Sequence, residues 1–195
     1  MFTLASKSSI RRQLLINAGL DFEAIGSNVD EDAIKDAMRG QGASPRSIAD
    51  KLAEAKAMRV SATRGGLVLG CDQILAFQGR AYDKVSTLDE ARARLILLRN
   101  QTHSLECGVV IAKDGVPIWR LLTSSRLTMR NFSDAFLDAY LERYGRDALA
   151  SVGCYQFEGG GAQLFDRIEG DYFSILGLPL LEVMAYLRLH NEVAA

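Results

Sequence analysis

An aspartate stands in the middle of GLVLGCDQILAF, residues 66–77. A run this rich in Leu, Val and Ile reads as a strand buried on both faces. An unpaired carboxylate at Asp72 is costly there, so it must neutralise, pair or bind a metal. The plain alternative is a polar strand tip hydrogen-bonded to a loop. Gln73 follows, so two polar side chains leave one strand on opposite faces.

In LASKSSIRR, residues 4–12, a strand enters a Ser-rich turn and a helix begins near Ser8 or Ser9. Free backbone N–H groups and the positive end of the helix favour an anion there. Arg11 and Arg12 add charge and a bidentate fork. The alternative is an ordinary N-cap beside a solvated arginine pair. Lys56 falls at the border of a helical apolar face, eight residues after Ile48, and Lys84 on a strand returning from the Asp72 hairpin. Asp30 and Glu31 precede a helix-like segment. Taken singly, each of these reads as a surface charge rather than a ligand. Glu158 precedes three glycines, where backbone can approach a ligand or simply form a loop. Neither G-x-x-x-x-G-K-[ST] nor G-x-G-x-x-G occurs.

The elements that must hold these residues follow from local pattern. Residues 2–5 and 22–25 read as short strands, with a helix between them carrying Ile10, Leu14, Leu15 and Ala18 on one face and stopping at Gly19. The polar segment at 28–45 reads mostly as loop. Ser44-Pro45 opens a helix with Ile48, Leu52 and Ala55 inward. Gln78-Gly79 turns the Asp72 strand into a hairpin whose return passes Tyr82 and Lys84. Thr87 and Glu90 form a capping box for a helix burying Ala91, Leu95 and Leu98. Strands at 103–112 and 118–129 flank the Asp114-Gly115 turn. Ser133 caps a helix burying Phe136, Leu137, Tyr140 and Leu141. After loop, strand and turn, Pro179 starts a last helix with Leu180, Val183, Met184 and Leu187 inward. Helices mixed with hairpins and crossovers give an α/β or α+β class with a mixed sheet.

Composition excludes several functions. The 195 residues suit one domain with a real core. A net charge of −1 gives no overall field for nucleic acid or an anionic membrane, so any anion site is a local cluster of cations. No run approaches a membrane span, and the opening MFTLASKSSIRR does not read as a signal peptide, so a cytoplasmic protein is expected. Three cysteines without C-x-x-C read as buried free thiols. The two histidines, His103 and His190, lie in no metal-ligand pattern.

In order along the chain, LASKSSIRRQLLINAGLDFEAIGSNVDE, KLAEAKA, VLGCDQILAFQGRAYDK and FEGGGAQLFDRIEGDYFSILGLPLLEV resemble the Maf family of nucleoside triphosphate pyrophosphatases. The resemblance spans nearly the whole chain. It implies a single α/β domain over residues 1–195, two-lobed, with an elongated mixed sheet flanked by helices and a central cleft. It implies cleavage between the α- and β-phosphates with a divalent cation, Mg²⁺ or Mn²⁺. It gives Asp72 the general-base position, with Lys56 and Lys84 beside it in catalysis. Ser6, Ile10, Arg11, Arg12, Gln73 and Glu158 fall at substrate-binding positions, and Glu31 and Asp72 at metal-binding ones.

Gln73 and Glu158 match the branch associated with 7-methyl-GTP; the dTTP/UTP branch carries Thr and Gln there. Ser9 replaces the proline of the usual S-P-[RW]-R, Val85 replaces the proline after Lys84, and Ile10 occupies a position tied to base choice. The alternatives are a dTTP/UTP or inosine-type pyrophosphatase, or a non-enzymatic nucleotide-binding regulator of division. The partner implied is a nucleoside triphosphate, with neither nucleic acid nor membrane; a homodimer stays open.

Overall fold

The computed structural model describes residues 1–193. In chain order the elements are β1 (Phe2–Leu4), α1 (Ser9–Asn17), β2 (Phe22–Ala24), α2 (Glu31–Gly40), α3 (Pro45–Ser61), β3 (Leu67–Phe77) and β4 (Arg80–Tyr82). Then come α4 (Leu88–Leu98), β5 (Thr102–Lys113), β6 (Val116–Met129), α5 (Asp134–Ala148), a 3-10 turn (Gly160–Leu164), β7 (Phe165–Glu169), α6 (Tyr172–Ile175) and α7 (Leu180–Leu189). Local chemistry sets most boundaries. Ser44 caps α3 with Pro45 at its first position, and Thr87 with Glu90 completes the capping box of α4. Gln78-Gly79 and Asp114-Gly115 have positive φ at both positions, the conformation a two-residue hairpin requires.

The strands form one mixed sheet in the order β2-β1-β3-β5-β6-β7, with β4 beside β3. β1 lies parallel to β2 and β3, and the long β3, β5 and β6 are antiparallel. β3 passes through two hydrophobic cores. Its first half places Leu67, Leu69 and Cys71 with β1, α1 and α7. Its second half places Leu75 and Phe77 with α4 and α5. β5 divides in the same way, with Cys107, Val109 and Ile111 in the first core and Leu105 in the second. The two cores are the two lobes, and Asp72 and Gln73 lie where β3 leaves one for the other. The three cysteines are buried and free, as expected.

Several expectations need correction. Residues 28–45 are not mostly loop, because α2 occupies Glu31–Gly40. Asp30 caps it, accepting from the Ala33 N–H, while Glu31, Asp32 and Arg39 complement the helix dipole. Ile34 and Met38, one turn apart, are its only apolar anchors on the cluster around Ile48 and Leu52. Two apolar residues in a polar stretch are too faint a periodicity to read. Lys84 lies just past β4 rather than on it. Ala55 is only half-buried; the inner face of α3 is completed by Ala49, Ala53, Ala57 and Val60. The segment after Glu158 adds a 3-10 turn and the one-turn α6, too short to leave a periodic signal.

Candidate active site

The site begins with a gap in strand pairing. On one edge of β3, β1 pairs with Val68 and Leu69, and β4 begins only at Leu75. Residues 70–74 therefore face a break between a parallel and an antiparallel neighbour, the kind of switch point where α/β sheets bind ligands. Asp72 sits mid-gap. On its other edge it pairs with Gly108 of β5.

α3 lies directly over this point because two glycines let it. A Cβ at Gly70 would stand 2.3 Å from the Ala53 carbonyl oxygen, and one at Gly108 2.6 Å from that of Ala49. With only alanines on the facing side of α3, helix and strands meet backbone to backbone. Lys56 then extends into the gap, its Nζ 2.5 Å from Asp72 Oδ1 and 2.9 Å from Glu31 Oε1. Lys56 is 7% exposed and Asp72 6%, so neither is the surface charge that the sequence suggested for Lys56. Asp72 Oδ2 has no protein partner among the described residues. Burial raises the Asp72 carboxyl above its ordinary range, although Lys56 and Arg11 pull it back.

Arg11 and Arg12 part company. Arg11 is buried, donating from Nε to the Gly177 carbonyl at 2.7 Å and from Nη1 to the Cys71 carbonyl at 3.0 Å. It lines the cleft, but as a bolt between α1, β3 and the α6–α7 turn rather than a free fork. Gly177, with φ +93°, leaves room for it, since a Cβ there would lie 3.2 Å from Nη2. Arg12 is not among the residues lining the cleft, because one residue along a helix turns the side chain through about 100°.

The other expected residues line a cleft of about 890 Å³, within the range of small-molecule sites. Ser6 is buried at the strand-to-helix turn, its Oγ accepting from the Ser8 N–H, and Ser8 caps α1 by accepting from the Arg11 N–H. Ile10 is half-buried in the wall. Gln73 donates from Nε2 to the carbonyls of Ser174 and Ile175, at 2.9 and 3.2 Å. Only its Oε1 is left for a ligand. Lys84 is exposed at the mouth; partial desolvation and the neighbouring Arg11 and Lys56 charges depress its ammonium below the ordinary value. Glu158 is exposed and also lines the cleft.

No local pattern points to the aromatic wall, Tyr82, Tyr155 and Phe157, or to Lys7, Lys35 and Asp83 in the lining. Tyr155 is fixed from behind by His103, Nε2 to OH at 2.6 Å, a pair separated by 52 residues and invisible to any local pattern.

Among the described residues five cations line the cleft (Lys7, Arg11, Lys35, Lys56, Lys84) against five anions (Glu31, Asp32, Asp72, Asp83, Glu158). A balanced cleft does not by itself neutralise a triphosphate. Among the described residues no group of three or more His, Cys, Asp or Glu side chains is placed to hold a metal. Glu31 and Asp72 nevertheless converge on one ammonium as two hard carboxylates. That donor set suits Mg²⁺ or Mn²⁺, which bind through one or two carboxylates completed by water and substrate phosphate oxygens. The residues present fit such an ion.

A mixed α/β sheet with a polar cleft at a break in its strand pairing, bordered by a Ser-rich helix start and several lysines, is an α/β protein whose cleft has the chemistry to receive a phosphate compound. The chain belongs to the Maf family: the family model described as Maf-like protein matches residues 1–190. A Caulobacter vibrioides protein named nucleoside triphosphate pyrophosphatase is 57% identical over 98% of this chain and 96% of its own length. One of the same name from Hyphomonas neptunium is 50% identical over 97% and 96%. A Mesorhizobium japonicum protein named 7-methyl-GTP pyrophosphatase is 47% identical over 95% and 94%. A solved nucleoside-triphosphatase / dITP/XTP pyrophosphatase from Mycobacterium abscessus overlays 96% of this chain and 93% of its own at 12% identity and a TM-score of 0.41, a likeness too loose to bear on function.

Proposed function

We propose that this protein hydrolyses nucleoside 5′-triphosphates to the monophosphate and pyrophosphate. Family membership over the full chain supports the reaction class. The observation that carries it is the buried Asp72–Lys56 pair in the cleft, with the partly exposed Glu31 on the same ammonium.

In this reading the triphosphate lies along the α1 N-terminus, with Lys84 at the mouth. Asp72, held by β3, accepts a proton at Oδ2 from the water that attacks the α-phosphorus. Lys56 opposes the burial that favours the protonated form of that carboxylate. The α–β phosphoanhydride bond breaks, and pyrophosphate leaves with its charge met by the lysines and the helix N-terminus. Glu31 and Asp72 would hold a divalent cation, which supplies charge neutralisation of the phosphates and a lowered pKa for bound water. Pyrophosphate release from a panel of nucleotides, with Mg²⁺ or Mn²⁺ and with chelator, tests the proposal. Binding without release under every condition leaves a nucleotide-binding regulator instead.

Within that class we propose a preference for 7-methyl-GTP. Glu158 stands on the rim beside Phe157 and Tyr155. A guanine methylated at N7 is cationic and shows N1–H and N2–H donors. A carboxylate accepts those donors and favours the positive ring, and an aromatic face favours it further.

A further inference from the structure

α2 carries Glu31 at its first position yet buries none of its residues. Beside the thin apolar contact of Ile34 and Met38 and the Glu31–Lys56 pair, its hold is electrostatic and converges on one residue, Asp83. Lys35 Nζ lies 3.2 Å from Asp83 Oδ1, and Arg39 Nη2 lies 2.6 Å from Asp83 Oδ2. Lys35 and Arg39 are one helical turn apart, so a single carboxylate grips a face of α2. The backbone of Asp83 is held as well. Its carbonyl accepts from Arg94 Nη1 at 3.1 Å, and the same nitrogen donates to the Val152 carbonyl at 2.9 Å. Arg94 is seated by Tyr82, its guanidinium 4.6 Å from the ring centroid. Asp83 thus touches three walls: α2 by its side chain, the chain leading to Glu158 through Arg94, and Lys84 as its neighbour in sequence.

We infer that Asp83 is a positioning residue, a latch that holds α2, and with it Glu31, in place beside Lys56. The side chain of Asp83 is 41% exposed and that of Arg39 35%, so the pairs add little to global stability. Their effect is local. A helix with no buried residue belongs to the low-stability end of a protein, where a few contacts set how often it opens. Opening α2 withdraws Glu31 from Lys56, and with it the second carboxylate of the cluster.

The kinetic part of the test rests on the pyrophosphatase reading; the exchange part does not. In Asp83→Asn, amide hydrogen exchange across α2 accelerates several-fold or more in the free protein, while α3 and β3 keep the parent rates. Arg39→Met reproduces this and Arg39→Lys largely restores the parent behaviour. Raising the salt concentration moves the parent toward the variant, because exposed pairs are screened. In turnover, Asp83→Asn raises the KM for nucleotide and for Mg²⁺ several-fold, with a smaller change in kcat. In a Glu31→Gln background the same change adds less than about twofold, the non-additivity expected of a residue acting through another. Unchanged α2 exchange in both Asp83→Asn and Arg39→Met overturns the latch, as do kinetic effects that multiply fully with Glu31→Gln. If no nucleotide is hydrolysed by any of these proteins, the pyrophosphatase reading fails and the exchange rates alone decide the latch.

Discussion

Lys56 Nζ stands 2.5 Å from Asp72 Oδ1, joining a helix and a strand that approach this closely because Gly70 and Gly108 carry no side chain. The pair is buried, shares its ammonium with Glu31, and lies where β3 passes from one core to the other. Two opposed charges out of water are weak evidence for stability, since desolvation offsets their attraction. Their placement at the floor of the cleft fits a chemical role.

Replacing Asp72 by Asn keeps the shape and removes the base. The expected loss in kcat is about 10²–10⁴-fold, with an unchanged circular dichroism spectrum. Asp72 also sets the acid limb of the parent. Because burial raises its pKa, activity that needs the carboxylate is present above that raised value and is lost as pH falls through it. The limb in kcat/KM should therefore fall above the ordinary aspartate value of about 3.9. Near-parental turnover by Asp72→Asn, measured as pyrophosphate release, removes Asp72 from the mechanism.

Lys84→Met should lower kcat/KM by roughly tenfold or more on every nucleotide alike, since phosphate charge is common to all of them. Its exposure means that Tm changes little. Lys56→Met should lower activity on all bases too, but with two further signs. It removes the principal charge opposing the desolvation of Asp72, so the acid limb moves to higher pH, and it leaves a buried carboxylate without its partner, so Tm falls. A changed ranking of bases with the best rate retained would assign either lysine to the base pocket.

Gly108→Ala tests whether backbone contact between α3 and the sheet positions the pair. The new methyl meets the Ala49 carbonyl and the Asp50 nitrogen, so α3 must move. Overpacking of this kind costs typically about 1–3 kcal/mol. A denaturant midpoint shift of that size should come with a disproportionate fall in kcat, because Lys56 shifts relative to Asp72. If stability falls while kcat holds, the close approach serves packing alone.

Glu158→Gln should erode discrimination for 7-methyl-GTP over dTTP and UTP by about ten- to a hundredfold. That is the equivalent of one charge-assisted hydrogen bond of roughly 1.5–3 kcal/mol. The exposure of Glu158 favours the lower end unless the bound base covers it. Comparison of kcat/KM for 7-methyl-GTP, GTP, dTTP and UTP on both proteins decides. A parent that prefers dTTP or UTP refutes the base preference and leaves the pyrophosphatase reaction standing.

Much was legible without coordinates wherever the determining forces are local. The Leu- and Val-rich run around Asp72 reads as an interior strand, and β3 is one. Ser44-Pro45, Thr87 with Glu90, and the turns at 78–79 and 114–115 fix their elements through bonds and dihedrals spanning four residues or fewer. The family motifs add which polar residues belong together. What only the tertiary structure decided lies in long-range contacts. Lys56 reads as a border residue of its helix, and becomes buried only because β3 and β5 each present a glycine beneath α3. Arg11 reads as a phosphate fork, and is taken instead by carbonyls 60 and 166 residues away in sequence. α2 reads as loop, since its apolar face is two residues wide and its remaining hold is charge pairing with Lys56 and Asp83, both distant in sequence. Helix propensity and turn chemistry act over a few residues and are written in sequence order. Burial and charge pairing depend on which distant strands leave a gap and what the gap admits, and that is fixed only when the sheet closes.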